Sequence, residues 1–274
     1  MRRRFKVMAI VVLLMPVILL GVLMIPRVQT SLLFYPEKLS PEFRFDSTQH
    51  PEEVFLRTED DQTINGLFFR LPTTKVILYL HGNAGSLSSW QYAFKDLQSL
   101  HISLLIIDYR GFGKSTGGIS EEGLYGDAKT AFDYLLRQGF KSTDVVIYGR
   151  SIGTAVAVDL ASKSTVNSVI LESPFYDFGR LVNEKIPLVP IPTFLLAYKF
   201  DNPSKIRKME IPLLVLQGDN DEIIPPRHGI ELYDAYKGRK YIVTVKGGQH
   251  NTLSDFAESG QSILLFLSSV DTAH

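Results

Sequence analysis

Two serines in this sequence stand in the pattern Gly-x-Ser-x-Gly, which can present a hydroxyl as a nucleophile. One is Ser115, in Gly113-Lys-Ser-Thr-Gly117; the other is Ser151, in Gly149-Arg-Ser-Ile-Gly153. An alcohol attacks a carbonyl only when a neighbouring base takes its proton, and the base needs a third group to orient it. The bare pattern does not choose between the two serines, but context does. A nucleophile of this type sits on a sharp strand-to-helix turn, and small residues flank it because side chains would collide there. Ser151 follows the apolar run Val145-Val-Ile-Tyr148 and precedes Thr154–Ala161, which reads as a helix. Ser115 follows Arg110-Gly-Phe-Gly113 and runs into Gly117-Gly118, so it reads as a loop serine. Gly113-Lys-Ser115 also has the ending of a phosphate-binding loop, but the glycine required five positions earlier is Asp108.

When the serine occupies such a turn in a strand–helix protein, the acid and the histidine follow it in that order. His50, His81 and His101 come too early, and His274 is the terminal residue. His228, after Pro225-Pro226-Arg227, reads as a surface residue at the start of a helix. His250 lies in Lys246-Gly-Gly-Gln-His250-Asn251, a loop after the last strand that can lay the imidazole over Ser151. It is the expected base. Gly218-Asp-Asn-Asp-Glu222 offers three carboxylates after the preceding strand. Asp221 is the expected orienting acid, with Asp219 and Glu222 stabilising the turn and the next helix start. The developing alkoxide needs two backbone donors. These are expected from Ile152, directly after the nucleophile, and from Asn83 in His81-Gly-Asn-Ala-Gly85, by its N–H and not its side chain. His81 reads as a structural residue that holds this loop through a hydrogen bond.

Alternating elements must position these groups. Val54–Thr58 and Thr63–Arg70 read as a hairpin. Val76–Leu80, Leu104–Ile107, Val145–Tyr148, Val169–Leu171, Leu213–Leu216 and Tyr241–Val245 read as strands covered on both faces. Helices are expected over Leu87–Leu100, Glu121–Gln138, Ile152–Ser162, Arg227–Tyr236 and Thr252–Leu267. This alternation predicts an α/β class with a mostly parallel sheet and helices on both faces, its chemistry at the carboxyl ends of the strands.

The 274 residues, 45% hydrophobic, suit one sizeable core. Lys plus Arg and Asp plus Glu both number 29, so the overall balance offers no basic surface for nucleic acid. With no cysteine in the chain, disulfides, thiolate metal sites and thiol nucleophiles are excluded. No metal or organic cofactor is implied, since protein groups supply nucleophile, base and donors. Arg2, Arg3, Arg4 and Lys6 precede an uncharged run from Val7 to Ile25. As a helix this run would span roughly 28 Å, near the hydrocarbon thickness of a bilayer. The expected organisation is a cytoplasmic N-terminus at 1–6, a transmembrane signal-anchor at 7–25 and a linker packed on the domain at 26–51. A catalytic domain at 52–270 then lies on the extracytoplasmic side.

Taken together, His81–Gly85, Asp108-Tyr-Arg-Gly-Phe-Gly-Lys-Ser115, Gly149–Gly153, Gly218–Asp221 and Gly248-Gln-His-Asn251 resemble the α/β-hydrolase domain-containing proteins, especially the type-13 branch and its bacterial relatives. The resemblance runs from about Gln29 to the end. It implies the eight-stranded α/β-hydrolase fold in a type II anchored enzyme.

The segment at about 173–209 is the expected cap. Its apolar stretch Ile186–Tyr198 reads as a short helix over the sheet edge, or as an acyl pocket or membrane-facing lip. The leading expectation is a serine esterase, a carboxylic ester hydrolase acting on small acyl esters, thioesters or lipid-like substrates. A serine peptidase of the same fold and a non-catalytic hydrolase-like binding protein are the alternatives.

Overall fold

The computed structural model describes residues 21, 25–46, 48, 50–93, 97–186 and 191–271. A helix, α1 (Pro26–Leu33), and a two-residue strand, β1 (Tyr35–Pro36), precede the main sheet. That sheet is built from β2 (Glu52–Arg57), β3 (Thr63–Phe69), β4 (Val76–Leu80), β6 (Ser103–Ile107), β7 (Val145–Arg150), β8 (Ser168–Glu172), β9 (Leu213–Gly218) and β10 (Lys240–Val245). The strand order is β10-β9-β8-β7-β4-β6-β3-β2. Neighbours from β10 to β6 are parallel, and β3 runs antiparallel to both β6 and β2. A short strand, β5 (Ala84–Gly85), pairs with β1 in parallel.

The inner strands are continuous apolar runs because both of their faces are covered. Leu78, Leu80, Ile147, Leu171 and Val215 point to one core, together with Leu124 and Leu135 of α3 (Glu121–Arg137) and Ala155 of α4 (Gly153–Ala161). Ile77, Tyr79, Val146, Ile170 and Leu216 point to the other, with Ile263, Phe266 and Leu267 of α8 (Ala257–Asp271). Helix α3 starts where the Ser120 hydroxyl accepts from the Gly123 amide, with Glu121 and Glu122 in its first turn.

The expected helix over Leu87–Leu100 is broken. Helix α2 (Leu87–Trp90) ends in a turn at Gln91-Tyr92. At that turn Gln91 Nε2 donates to Ser88 O, the carbonyl that a longer helix would bond to the Tyr92 amide, and Tyr92 N turns to Ser89 O instead. The short helix expected within Ile186–Tyr198 is also absent from its described part, residues 186 and 191–198, where a single 3₁₀ turn covers Thr193–Leu195. Prolines at 187, 190 and 192 deny that stretch the amides a helix needs. Among the described residues no helix is long and apolar enough to cross a membrane. The expected cytoplasmic segment 1–6, and the expected anchor at 7–25 apart from Gly21 and Ile25, lie outside the described residues.

Two glycines let α4 abut the sheet. A methyl group on Gly153 would lie 2.0 Å from Leu80 O, and one on Gly149 would lie 2.5 Å from Gly153 O. Above the sheet, α5 (Phe178–Lys185), which precedes α6 (Asn202–Ile206) in the chain, is tied to α7 (Arg227–Ala235) by Glu184. Glu184 accepts from Arg180 Nε at 2.9 Å and Arg227 Nη2 at 2.6 Å, and its Oε2 lies 2.9 Å from His228 Nε2. His228 corrects the surface reading, for it is fully buried. His228 points inward from the first turn of α7, and its Nδ1 accepts from the Tyr176 amide at 3.2 Å. Burial pushes the Glu184 carboxyl up, but the hydrogen bonds from His228 and Arg180 outweigh it and bring it down to about 2.

Two outcomes are expected. Gly153→Ala should destabilise the protein by about 1–3 kcal/mol in urea unfolding, because backbone and not a flexible side chain stands in the way; an unchanged midpoint would mean that α4 has room to move. Because the folded Glu184 carboxyl is depressed, its stabilisation is present above the unfolded value near 4.3 and is lost as pH falls through about 2. The gap in melting temperature between wild type and Glu184→Gln should therefore narrow steadily from about pH 6 to about pH 3; a constant gap would contradict this reading.

Candidate active site

Ser151 sits between β7 and α4 with φ +54°, a left-handed conformation that few non-glycine residues adopt. Its neighbours hold it there. The Ser151 amide donates to Glu172 O at 2.9 Å, and its carbonyl accepts from Thr154 N at 3.0 Å and Thr154 Oγ1 at 2.6 Å. The strand thus ends abruptly, and the hydroxyl stands at the carboxyl edge of the sheet.

The loop after β10 brings His250 over this serine. Three contacts shape that loop from the neighbouring β9 turn: Asp219 Oδ1 accepts from Gly247 N at 2.6 Å, Glu222 Oε2 from His250 N at 3.3 Å, and Gly248 O from Asn220 N at 3.0 Å. Asp219 and Glu222 therefore hold the histidine loop, a task that the expectation of turn and helix-start stabilisers did not include. His250 is buried, with Nε2 3.0 Å from Ser151 Oγ. Its Nδ1 lies 2.9 Å from Asp221 Oδ2 and 3.1 Å from Oδ1. Asp221 is buried as well and accepts further from the amides of Ile223 and Ile224 and from Gln217 Nε2. Burial raises the Asp221 carboxyl, but the bond to His250, the attraction of that ring when it is protonated and the two amides prevail and leave it below its ordinary value. A carboxylate only accepts, so the proton of neutral His250 belongs on Nδ1, and Nε2 is left as an acceptor for the serine hydroxyl. The structure therefore brings Ser151, His250 and Asp221 into one hydrogen-bonded chain.

Asn83 and Ile152 line the same cleft as Ser151 and His250. Among the described residues neither the Asn83 nor the Ile152 amide donates to another backbone carbonyl. The Asn83 side chain is used elsewhere, for its Nδ2 donates to Leu33 O at 2.7 Å. The stem of the chain, residues 26–37, clamps this loop from Asn83 onward. Tyr35 N donates to Asn83 O at 2.8 Å, Glu37 N donates to Gly85 O at 2.9 Å, and Glu37 Oε2 accepts from Ser86 Oγ and Ser88 Oγ. His81 is fully buried, its Nδ1 2.7 Å from Gly82 O and its ring stacked on Trp90. Ser115 lies away from this group; its hydroxyl donates to Asp108 O and accepts from Asn65 N, which closes a loop.

Sequence reasoning passed over Arg150 and Glu172. Arg150 Nε lies 3.2 Å from Glu172 Oε1, and its Nη2 donates to Asn251 Oδ1 at 3.1 Å and to His250 O at 3.4 Å. Glu172 Oε2 also accepts from Tyr148 OH at 2.6 Å. Burial lowers the Arg150 guanidinium, but the Glu172 charge together with the Tyr79 and Tyr148 hydroxyls outweighs it and raises it. This pair braces the histidine loop from below. A cationic residue directly before the serine was the available signal. The cleft itself measures ≈ 430 Å³, with Leu33, Tyr35, Phe175, Phe178, Leu181 and Ile223 as apolar walls. Among the described residues no three His, Cys, Asp or Glu side chains group as a metal site would require.

The sequence model of a family described as "alpha/beta hydrolase fold" matches residues 75–190. The chain is 34% identical over 224 residues to mouse "Alpha/beta hydrolase domain-containing protein 17C", covering 79% of this chain and 68% of that protein. It is 28% identical over 240 residues to protein YfhR of Escherichia coli K12, covering 84% and 82% of the two chains. The chain spans about two thirds of the length of the mammalian relatives. Among solved structures, an esterase of Pyrococcus furiosus superposes with a TM-score of 0.70 over 86% of this chain and 97% of that one, at 18% identity. That likeness is one of fold. With the sheet order, the chain order of its polar residues and these relatives in agreement, the protein belongs to the α/β-hydrolase domain-containing family.

Proposed function

We propose that this protein is a membrane-anchored serine hydrolase that cleaves acyl esters or thioesters. The observation that carries the reading is the chain from Ser151 Oγ through His250 to buried Asp221, standing at an apolar cleft. His250 Nε2 takes the serine proton while Oγ attacks the carbonyl carbon. The amides of Asn83 and Ile152 hold the resulting oxyanion. His250 then returns the proton to the leaving alcohol or thiol, and the acyl group stays on Ser151. Water attacks this intermediate, His250 takes its proton, and the acid leaves as Ser151 regains its hydrogen. Asp221 stabilises the imidazolium formed in each half. The apolar walls favour an acyl chain over a polar peptide, which the same steps would also cleave.

The uncharged run Val7–Ile25 after four cationic side chains supports the anchor, with the N-terminus cytoplasmic and the domain on the extracytoplasmic side.

A fluorophosphonate probe should label wild type at Ser151, read by peptide mass spectrometry, and Ser151→Ala should not be labelled. A folded wild type that stays unlabelled would defeat the proposal. Asp221→Asn should keep the fold and lower kcat by roughly 10⁴-fold, because the imidazole takes the wrong tautomer; a loss below tenfold would remove Asp221 from the mechanism. Among p-nitrophenyl esters, Phe178→Asp should cost long acyl chains much more kcat/KM than acetate; an equal loss for both would argue against an acyl site in the cleft.

A further inference from the structure

Around the cleft lies a rim of exposed apolar side chains drawn from three separate segments. Leu32 (58% exposed) and Tyr35 (60%) belong to the stem, Phe194 (76%) and Ile186 (45%) to the cap, and Ile223 (44%) to the turn after β9. Hydrogen bonds join these segments into one surface. Gln29 Nε2 donates to Leu195 O and Gln29 Oε1 accepts from Ala197 N, which sets α1 beside Phe194. Thr30 Oγ1 and Tyr198 OH lie 2.8 Å apart. Tyr35 OH donates to Leu32 O, and Lys185 Nζ donates to Glu222 O, which brings Ile186 beside Ile223. Tyr35 and Ile223 also wall the cleft, so the rim is its mouth.

Helix α1 has no fully buried residue: Leu33 packs half-buried against the core, while Leu32 is left exposed. A helix this short is marginal in water without packing on an apolar face. The chain itself indicates what covers the rim. α1 begins directly after Ile25, where the 19 uncharged residues from Val7 end. An anchor that leaves a bilayer at Ile25 puts α1, and the mouth beside it, at the membrane surface.

We infer that the rim Leu32–Tyr35–Phe194–Ile186–Ile223 seats in the bilayer interface, so that the cleft opens onto lipid and takes acyl substrates from the membrane. This rests on the anchored-hydrolase reading above and adds the orientation of the domain. Interfacial seating of apolar side chains from several segments is what contiguous exposed patches of this kind support.

The chain has no cysteine, so single substitutions can carry unique probes. The full chain, reconstituted in phosphatidylcholine vesicles, is labelled with an environment-sensitive nitrobenzoxadiazole dye at Leu32→Cys, at Phe194→Cys or at Ile186→Cys. Lys237→Cys, before the amino end of β10 and so at the far end of the sheet, is the control. Blue-shifted emission quenched by nitroxide lipids at the three rim sites, with the control unquenched, is the expected result. Rim probes that stay unquenched in protein that floats with the vesicles would overturn the inference and leave the anchor standing. A blue shift without nitroxide quenching would mean burial against protein, a second copy included, and would overturn it too. Failure of the full chain to float with vesicles would instead defeat the anchored reading, and the inference would fall with it. In a parallel assay, Leu32→Asp with Phe194→Asp should cut hydrolysis of a vesicle-held long-chain ester by about tenfold or more and leave soluble p-nitrophenyl butyrate hydrolysis unchanged. An equal effect on both substrates would count against the rim.

Discussion

At Ser151 the chain must leave a strand, reverse its local hand and enter a helix within a few residues. A left-handed non-glycine residue costs on the order of 1–3 kcal/mol and persists only where the surroundings over-determine it. Here Gly149 and Gly153 remove the side chains that would keep α4 off the sheet, so that α4 can lie against the backbone of β4. All nine residues of α4 are buried, which holds it in place. The bond from Ser151 N to Glu172 O ties the same residue to β8. The direction of the hydroxyl, and an Ile152 amide with no backbone acceptor among the described residues, both follow from this one contact between helix and sheet.

The polar groups around the elbow form layers. Asp221 is buried but meets the His250 ring, two backbone amides and a glutamine amide, so its charge has partners on several sides. Asp219 and Glu222 fix the backbone of the loop on which His250 rides. Arg150 reaches that loop from beneath and is itself paired with Glu172. A loop of glycines and one histidine would otherwise have many conformations to lose; these contacts select one of them.

The central sheet was readable because its inner strands are buried on both faces and so are written as unbroken apolar runs. Ser151, His250 and Asp221 were readable because strand-to-helix context and chain order restrict the choices. Other features carry no local signature. The inward turn of His228 depends on where α7 lands against the Tyr176 amide and Glu184, far away in sequence. The Arg150–Glu172 pair spans two strands. Helix α2 stops early where the Gln91 side chain takes the Ser88 carbonyl that the apolar pattern alone assigns to a helix. The pairing of β1 with β5 joins residues 49 apart, Tyr35 with Ala84 and Pro36 with Gly85, through two-residue strands too short for any periodicity to declare.

That small parallel ladder also has a mechanical meaning. Traced from Pro26, the backbone meets the Asn83 loop before any strand of the main sheet. A force applied at the start of α1 travels through Gln29 and Thr30 into the 195–198 segment, and through Tyr35 and Glu37 into residues 83–88, ahead of the eight-stranded body. In the anchored enzyme proposed above, tension or torque on the tether reaches the backbone that carries the Asn83 amide before it reaches Ser151 and His250. The stem would then be both the attachment proposed for the domain and one wall of its cleft.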